Sequence, residues 1–132
     1  QMIQEDLSDI IHQIRCNIQN KISITFDEAQ FRQVLINLIR NAIRHNSPEH
    51  SHIELNIYSH GINVRIEVRD FGSGVASQDL SYLFQPFFST EITGTGLGLY
   101  LSHSFCEANQ AKLDYVEQEQ GACFRIECQR VA

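Results

Sequence analysis

Asp27-Glu28-Ala29-Gln30-Phe31-Arg32-Gln33-Val34-Leu35-Ile36-Asn37-Leu38-Ile39-Arg40-Asn41-Ala42-Ile43-Arg44-His45 is the stretch on which the fold turns. Phe31, Val34, Leu35, Leu38, Ile39, Ala42 and Ile43 recur at i, i+3 and i+4, the spacing of one apolar helix face. Asp27 can cap the first turn, Gln30 follows at the capping-box distance, and Phe26 and Phe31 stand at the staple positions. Asn46-Ser47-Pro48 ends the helix, because a residue before proline avoids the helical region. A face this long must be buried against a second layer.

The rest of the chain supplies that layer. Ile53, Leu55 and Ile57 alternate with polar residues, Ser59-His60-Gly61 turns the chain, and Ile62, Val64, Ile66 and Val68 alternate again. A period of two on both sides of a turn predicts a long antiparallel hairpin. Leu97, Leu101, Phe105 and Ala108 mark a second helix, closed at Asn109, a residue that tolerates the left-handed cap. Strands over 112–117 and 122–129 flank a turn at Gly121. Upstream, Ile14, Cys16 and Ile18, a turn at Gln19-Asn20-Lys21, then Ile22, Ile24 and Phe26 predict another hairpin. Ile3, Leu7, Ile10 and Ile11 predict the end of a helix within 1–12, a linker cut by the chain boundary. Residues 1–132 are therefore expected to form one α+β domain, a two-layer sandwich whose mixed, mainly antiparallel sheet is covered on one face by helices.

Composition narrows the function. The chain has 132 residues and a net charge of −6, and only Lys21 and Lys112 are lysines. An acidic chain poor in lysine is the wrong partner for nucleic acid, which is gripped by neutralising phosphates. No apolar run approaches the ~20 residues of a membrane span. Cys16, Cys106, Cys123 and Cys128 show no CxxC spacing, so buried thiols are expected rather than a disulfide or metal site. His50 and His52 stand in a polar loop without a cysteine or acidic cluster, a poor start for a metal site.

Three constellations carry chemistry. On the first long helix, at ~100° per residue, Asn37, Asn41, Arg44 and His45 share one stripe beside the apolar face. Counting by two from Ile62 through Val64, Ile66 and Val68 lands on Asp70, which places its carboxylate on the helix-covered face. A buried anion needs a donor, and the exocyclic amine of adenine is one; guanine shows a carbonyl there. Gly72 and Gly74 follow and let backbone approach a ligand with no Cβ in the way. Thr93-Gly94-Thr95-Gly96-Leu97-Gly98-Leu99 runs glycine-rich into a helix start, where unpaired N–H groups favour an anion. It is neither a Walker A loop nor the dinucleotide fingerprint, because there is no Gly-Lys-Ser/Thr and the third glycine comes one place early.

With Leu83-Phe84-Gln85-Pro86-Phe87-Phe88 between the second and third of these, the order resembles the N, G1, F and G2 boxes of sensor histidine kinases across essentially the whole chain. The resemblance implies the Bergerat ATP-binding fold, with Mg-ATP between the helix layer and a lid. It implies that Asn41 ligates Mg²⁺ and Asn37 assists, that Arg44 approaches the phosphates, and that His45 sits near the sugar-phosphate. Asp70 would accept from the adenine amine, with Gly72 and Gly74 allowing close approach. Gly94, Thr95, Gly96, Leu97 and Gly98 would wrap the triphosphate, and Phe87 and Phe88 would anchor the lid. The Leu-Phe-Gln-Pro-Phe-Phe-Ser-Thr run is most similar to the nitrogen-regulation and pilus-regulation branch. Two departures matter. Glu91 stands where many relatives carry a lysine, so Mg²⁺ and Arg44 must neutralise most of the triphosphate charge.

The second departure separates this chain from the gyrase, mismatch-repair and chaperone ATPases and the serine kinases of the same superfamily. Those place a glutamate four residues before the metal-binding asparagine as general base. Here that position is Asn37, which implies slow hydrolysis and transfer to an external nucleophile. His12 precedes Gln13 with no proline nearby, unlike the phosphoacceptor pattern. The resemblance thus implies a protein-histidine kinase fragment that phosphorylates a histidine on the dimerisation domain of the same kinase and passes the group to a response regulator. The fragment would be a monomer, the full protein a homodimer, and this domain the cytoplasmic part of a membrane-anchored kinase. An ATP-binding regulatory module without phosphotransfer, or a slow ATPase, is the alternative.

Overall fold

The computed structural model describes residues 10–19, 21–88 and 97–131. The helix predicted from its apolar stripe is α1, Glu28–His45, with Val34, Leu35, Leu38, Ile39 and Ala42 buried. Asp27 caps it by accepting from the Gln30 N–H at 2.9 Å, and Phe26 and Phe31 meet edge to face at 5.3 Å. The capping box does not close through Gln30. Asn109 takes that role, accepting from the Asp27 N–H at 2.8 Å and donating to Gln30 Oε1 at 2.7 Å. One amide thereby ties the start of α1 to the end of the second helix.

The partner layer is a five-stranded sheet ordered β1-β2-β3-β5-β4. Its strands are β1 (Ile14–Ile18), β2 (Ile53–His60), β3 (Asn63–Arg69), β4 (Lys112–Glu117) and β5 (Ala122–Gln129). The second helix, α2, spans Gly98–Ala108. Ile53, Leu55, Val64, Ile66, Val68, Leu113, Phe124 and Ile126 face the helices and are buried with the α1 stripe in one core. The β4–β5 pair matches its predicted spans and Gly121 turns it at φ 83°, whereas the β2–β3 hairpin turns later than expected, with Ser59 and His60 in β2 and the turn at Gly61-Ile62. Ile62 is a turn residue instead of a strand residue and stands 86% exposed.

The amino-terminal hairpin is not there. β1 pairs in parallel with β2, Ile14 opposite Ile53 and Ile18 opposite Ile57, with α1 as the crossover. The segment after Lys21 makes only an isolated bridge, Ile24 to Arg130 at the end of β5. Period-two alternation marks a strand but not its partner, and a distant sheet edge won. His12 falls in a short 3₁₀ turn, Ile11–Gln13, rather than at a strand start, and the helix expected over 1–12 lies almost wholly outside the described residues. Asn109 is not the left-handed residue either; Gln110 is, at φ 59°.

All four cysteines are free. Cys106, Cys123 and Cys128 are buried, and burial pushes their thiols up to about 12, 12 and 11, so they are protonated and unreactive near neutrality. Cys16 departs from expectation and is exposed. Among the described residues no helix is long and apolar enough to cross a membrane.

Candidate functional site

α1 positions the site by touching the turn after β3 with its carboxyl end and the start of α2 from its middle. At its carboxyl end lies the turn after β3. Asp70 is 2% exposed, on the helix-covered face that strand parity assigned to it. Burial raises its pKa, opposed by the N–H groups of Gly72 and Ala122 and by the charges of His45 and Arg69. The Gly72 N–H donates to Asp70 Oδ1 at 2.9 Å, and the Asp70 N–H donates to the Ala122 carbonyl at 2.9 Å. The carboxyl therefore sits between a helix end and two turns in one fixed orientation.

Glycine is required in this turn. A Cβ on Gly72 would lie 1.8 Å from the His45 carbonyl oxygen, and one on Gly121 would lie 2.0 Å from the Asp70 carbonyl oxygen. Gly74 adopts φ +76°, with its Cβ direction 2.9 Å from the Gly121 carbonyl oxygen. The backbones of α1, the β3 turn and the β4–β5 turn are in contact, and no side chain fits between them. His45 accordingly flanks the β3 turn through its carbonyl.

About 12 Å along α1, at 1.5 Å per residue, Asn37 faces the start of α2. Its Nδ2 donates to the Gly98 carbonyl at 3.4 Å and to Ser102 Oγ at 3.3 Å, while its Oδ1 accepts from Gln33 Nε2 at 3.0 Å. Asn41 lies between the two ends, half-buried, and accepts from Arg44 Nη2 at 3.3 Å. α2 begins at Gly98 with no side-chain cap, and a Cβ added at Gly98 would meet nothing within 4 Å. Nothing inside the described protein demands glycine there, which is what close approach of an external group would leave behind.

The buried side of α2 departs from the sequence reading. Ser102 and Cys106 are its buried residues, whereas Leu101 is 39% exposed. A serine takes the inner position because Asn37 reaches it, and no periodicity announces that pairing. Asn46, legible only as a helix stop, and His50 and Gln120 around Phe71 are equally unannounced.

The F-box residues divide between core and surface. Leu83 is buried and Phe84 packs between His103 and Phe124, at ring separations of 4.9 and 6.2 Å. Phe88 stacks on Tyr82 at 5.9 Å and Phe87 is 75% exposed at φ 66°, and most of the lid both are expected to anchor lies outside the described residues. Gly94, Thr95 and Gly96, with Glu91 and most of the expected lid, lie outside the described residues.

The donor set suits a hard cation only in part. Among the described residues no group of three His, Cys, Asp or Glu could hold a metal. The neutral amide oxygens of Asn41 and Asn37 are fit to complete the sphere of a Mg²⁺ that arrives with phosphate oxygens and water. In this structure each amide oxygen accepts one side-chain hydrogen bond, which leaves its second lone pair for a cation.

Residues 26–131 match the histidine kinase-, DNA gyrase B- and HSP90-like ATPases. The chain belongs to that ATP-binding family. Within it, the chain is 44% identical over 110 residues to the sensor protein kinase PilS of Pseudomonas aeruginosa, covering 80% of this chain and 21% of that protein. It is 32% identical over 128 residues to the sensor histidine kinase ZraS of Escherichia coli, covering 96% and 27%. The catalytic domain of histidine kinase ThkA, solved free of nucleotide, superposes with a TM-score of 0.82 at 25% identity, covering 98% of this chain and 88% of that one. The chain is thus a histidine-kinase-type ATPase domain, and it spans about a fifth to a quarter of these curated relatives.

Proposed function

We propose that residues 1–132 are the catalytic and ATP-binding part of a sensor histidine kinase, taking Mg-ATP as substrate and transferring its γ-phosphoryl group to a histidine on the kinase's dimerisation domain. The observation that carries this reading is the buried Asp70 carboxyl held at the carboxyl end of α1, with the Asn41 and Asn37 amides further back along the helix and, among the described residues, no side-chain cap on the start of α2 beside Asn37. Asp70 accepts from the adenine amine. Gly98 and the first-turn N–H groups of α2 receive phosphate oxygens. Arg44 adds charge, and Asn41, assisted by Asn37, would hold Mg²⁺, which supplies charge neutralisation when bound.

The absence of a base at position 37 supports transfer over hydrolysis. Asn37 has no useful basicity, and its amide is engaged with Gly98 and Ser102. An imidazole acceptor is already nucleophilic and needs positioning more than deprotonation. Its ring nitrogen bonds to the γ-phosphorus as the bond to the ADP oxygen breaks, and the ring N–H proton is later lost to solvent. The whole protein would be a membrane-anchored homodimer that hands its phosphoryl group to a response regulator. The test mixes this chain with a separately made dimerisation domain and γ-labelled ATP. Acid-labile label on histidine is the expected result. Bound but unspent ATP would mark a regulatory module instead, and steady phosphate release an ATPase.

A further inference from the structure

Phe71 is the most heavily fastened residue of the β3 turn, and none of its fastenings comes from the motif that contains it. Asn46 Oδ1, beyond the end of α1, accepts from the Phe71 N–H at 2.9 Å. The same amide's Nδ2 donates to the carbonyls of His50 and His52, at 3.2 and 3.4 Å, which makes the 46–52 loop one unit. Gln120 Nε2, in the β4–β5 turn, donates to the Phe71 carbonyl at 3.1 Å. The ring is covered by the His50 imidazole, stacked at 4.7 Å and 14°, and by the Arg69 guanidinium at 4.7 Å.

These contacts fix two successive peptide units. Asn46 holds the unit joining Asp70 to Phe71. Gln120 holds the unit joining Phe71 to Gly72, whose N–H is the donor to Asp70 Oδ1. Rotation of either unit would move the carboxyl or remove the donor that orients it, and a hydrogen bond on the carbonyl side polarises the N–H of the same unit. We propose that Asn46 and Gln120 are positioning residues that set the direction of the Asp70 carboxyl, and so the discrimination between a 6-amino and a 6-oxo purine. They touch no nucleotide and act through the Phe71 backbone. The inference rests on the reading of Asp70 as the adenine contact.

The test measures the affinity of this chain for ATP and for inosine triphosphate, which carries a carbonyl at C6, with Mg²⁺ present. Asp70→Ala is expected to abolish the preference for ATP. Asn46→Ala is expected to lower it about tenfold by weakening ATP alone, as a misaimed hydrogen bond should. Gln120→Ala, on an exposed turn where folding is not at stake, is expected to lower it about threefold. Exchange of the Phe71 and Gly72 amides should quicken in both variants while Ile66 and Val68 stay protected. Equal weakening of both nucleotides by Asn46→Ala, or an unchanged preference in Gln120→Ala, would overturn the positioning role. A preference that survives Asp70→Ala would instead overturn the reading on which it rests.

Discussion

The two ends of the site along α1 are built in opposite ways. At the carboxyl end the Asp70 carboxyl is sealed, its turn touches α1 and the β4–β5 turn through backbone, and a Cβ at Gly72 has no room. At the other end of the site, back along α1 towards Asn37, Asn41 is half-buried, and among the described residues α2 starts without a side-chain cap and Gly98 faces open space. The first is a site finished before its ligand arrives. On the proposed reading, the second takes charge that a metal and a phosphate chain bring together, so that recognition of the base is selective without reorganisation while the phosphate end assembles around Mg-ATP.

Four substitutions or conditions would break or sharpen this contrast. The largest effect belongs to Gly72→Ala, whose methyl would overlap the His45 carbonyl oxygen. Loss of about 3 kcal/mol of stability is expected, read as an early melt, together with loss of nucleotide binding. Next is magnesium. With no lysine beside the phosphates among the described residues, excess chelator should weaken ATP about a hundredfold, and Asn41→Ala should flatten that dependence. Equal titration curves with and without metal would refute it.

Gly98→Ala is the counterpart of Gly72→Ala. Its methyl meets nothing, so the empty protein should melt no lower, whereas Mg-ATP should bind about tenfold more weakly. Reduced stability with intact binding would invert the contrast between the two ends. The smallest effect is a pH dependence. Asp70 has its pKa raised above the ordinary 3.8, so its favourable contribution is complete below that value and is lost as pH rises through the raised one. Asp70→Asn should therefore gain stability relative to the parent across that window, and thermal melts at stepped pH would show it. A flat difference would mean that the carboxyl ionises at no cost.

What was legible in the chain follows from how local each signal is. The stripe from Phe31 to Ile43, the alternation of β2 and β3, and the Gly121 turn are short-range patterns, and each produced the element expected. The burial of Asp70 follows from strand parity alone. β1 is a strand as its alternation predicts, but its partner, Ile53 onwards, lies beyond an intervening helix, and alternation carries no address. The inner face of α2 was missed because Ser102 is buried to meet an amide, against the hydrophobic pattern. Asn46, Asn109 and Gln120 act through single hydrogen bonds to distant backbone or amide groups, a use of the amide that leaves no spacing to detect.

The account depends most directly on one carboxyl group. Calorimetric titration of Mg-ATP into Asp70→Ala, with the cooperative melt of the variant checked first, is predicted to show binding at least about tenfold weaker than in the parent, as loss of a hydrogen bond to a charged acceptor requires. Binding within about twofold of the parent would contradict it.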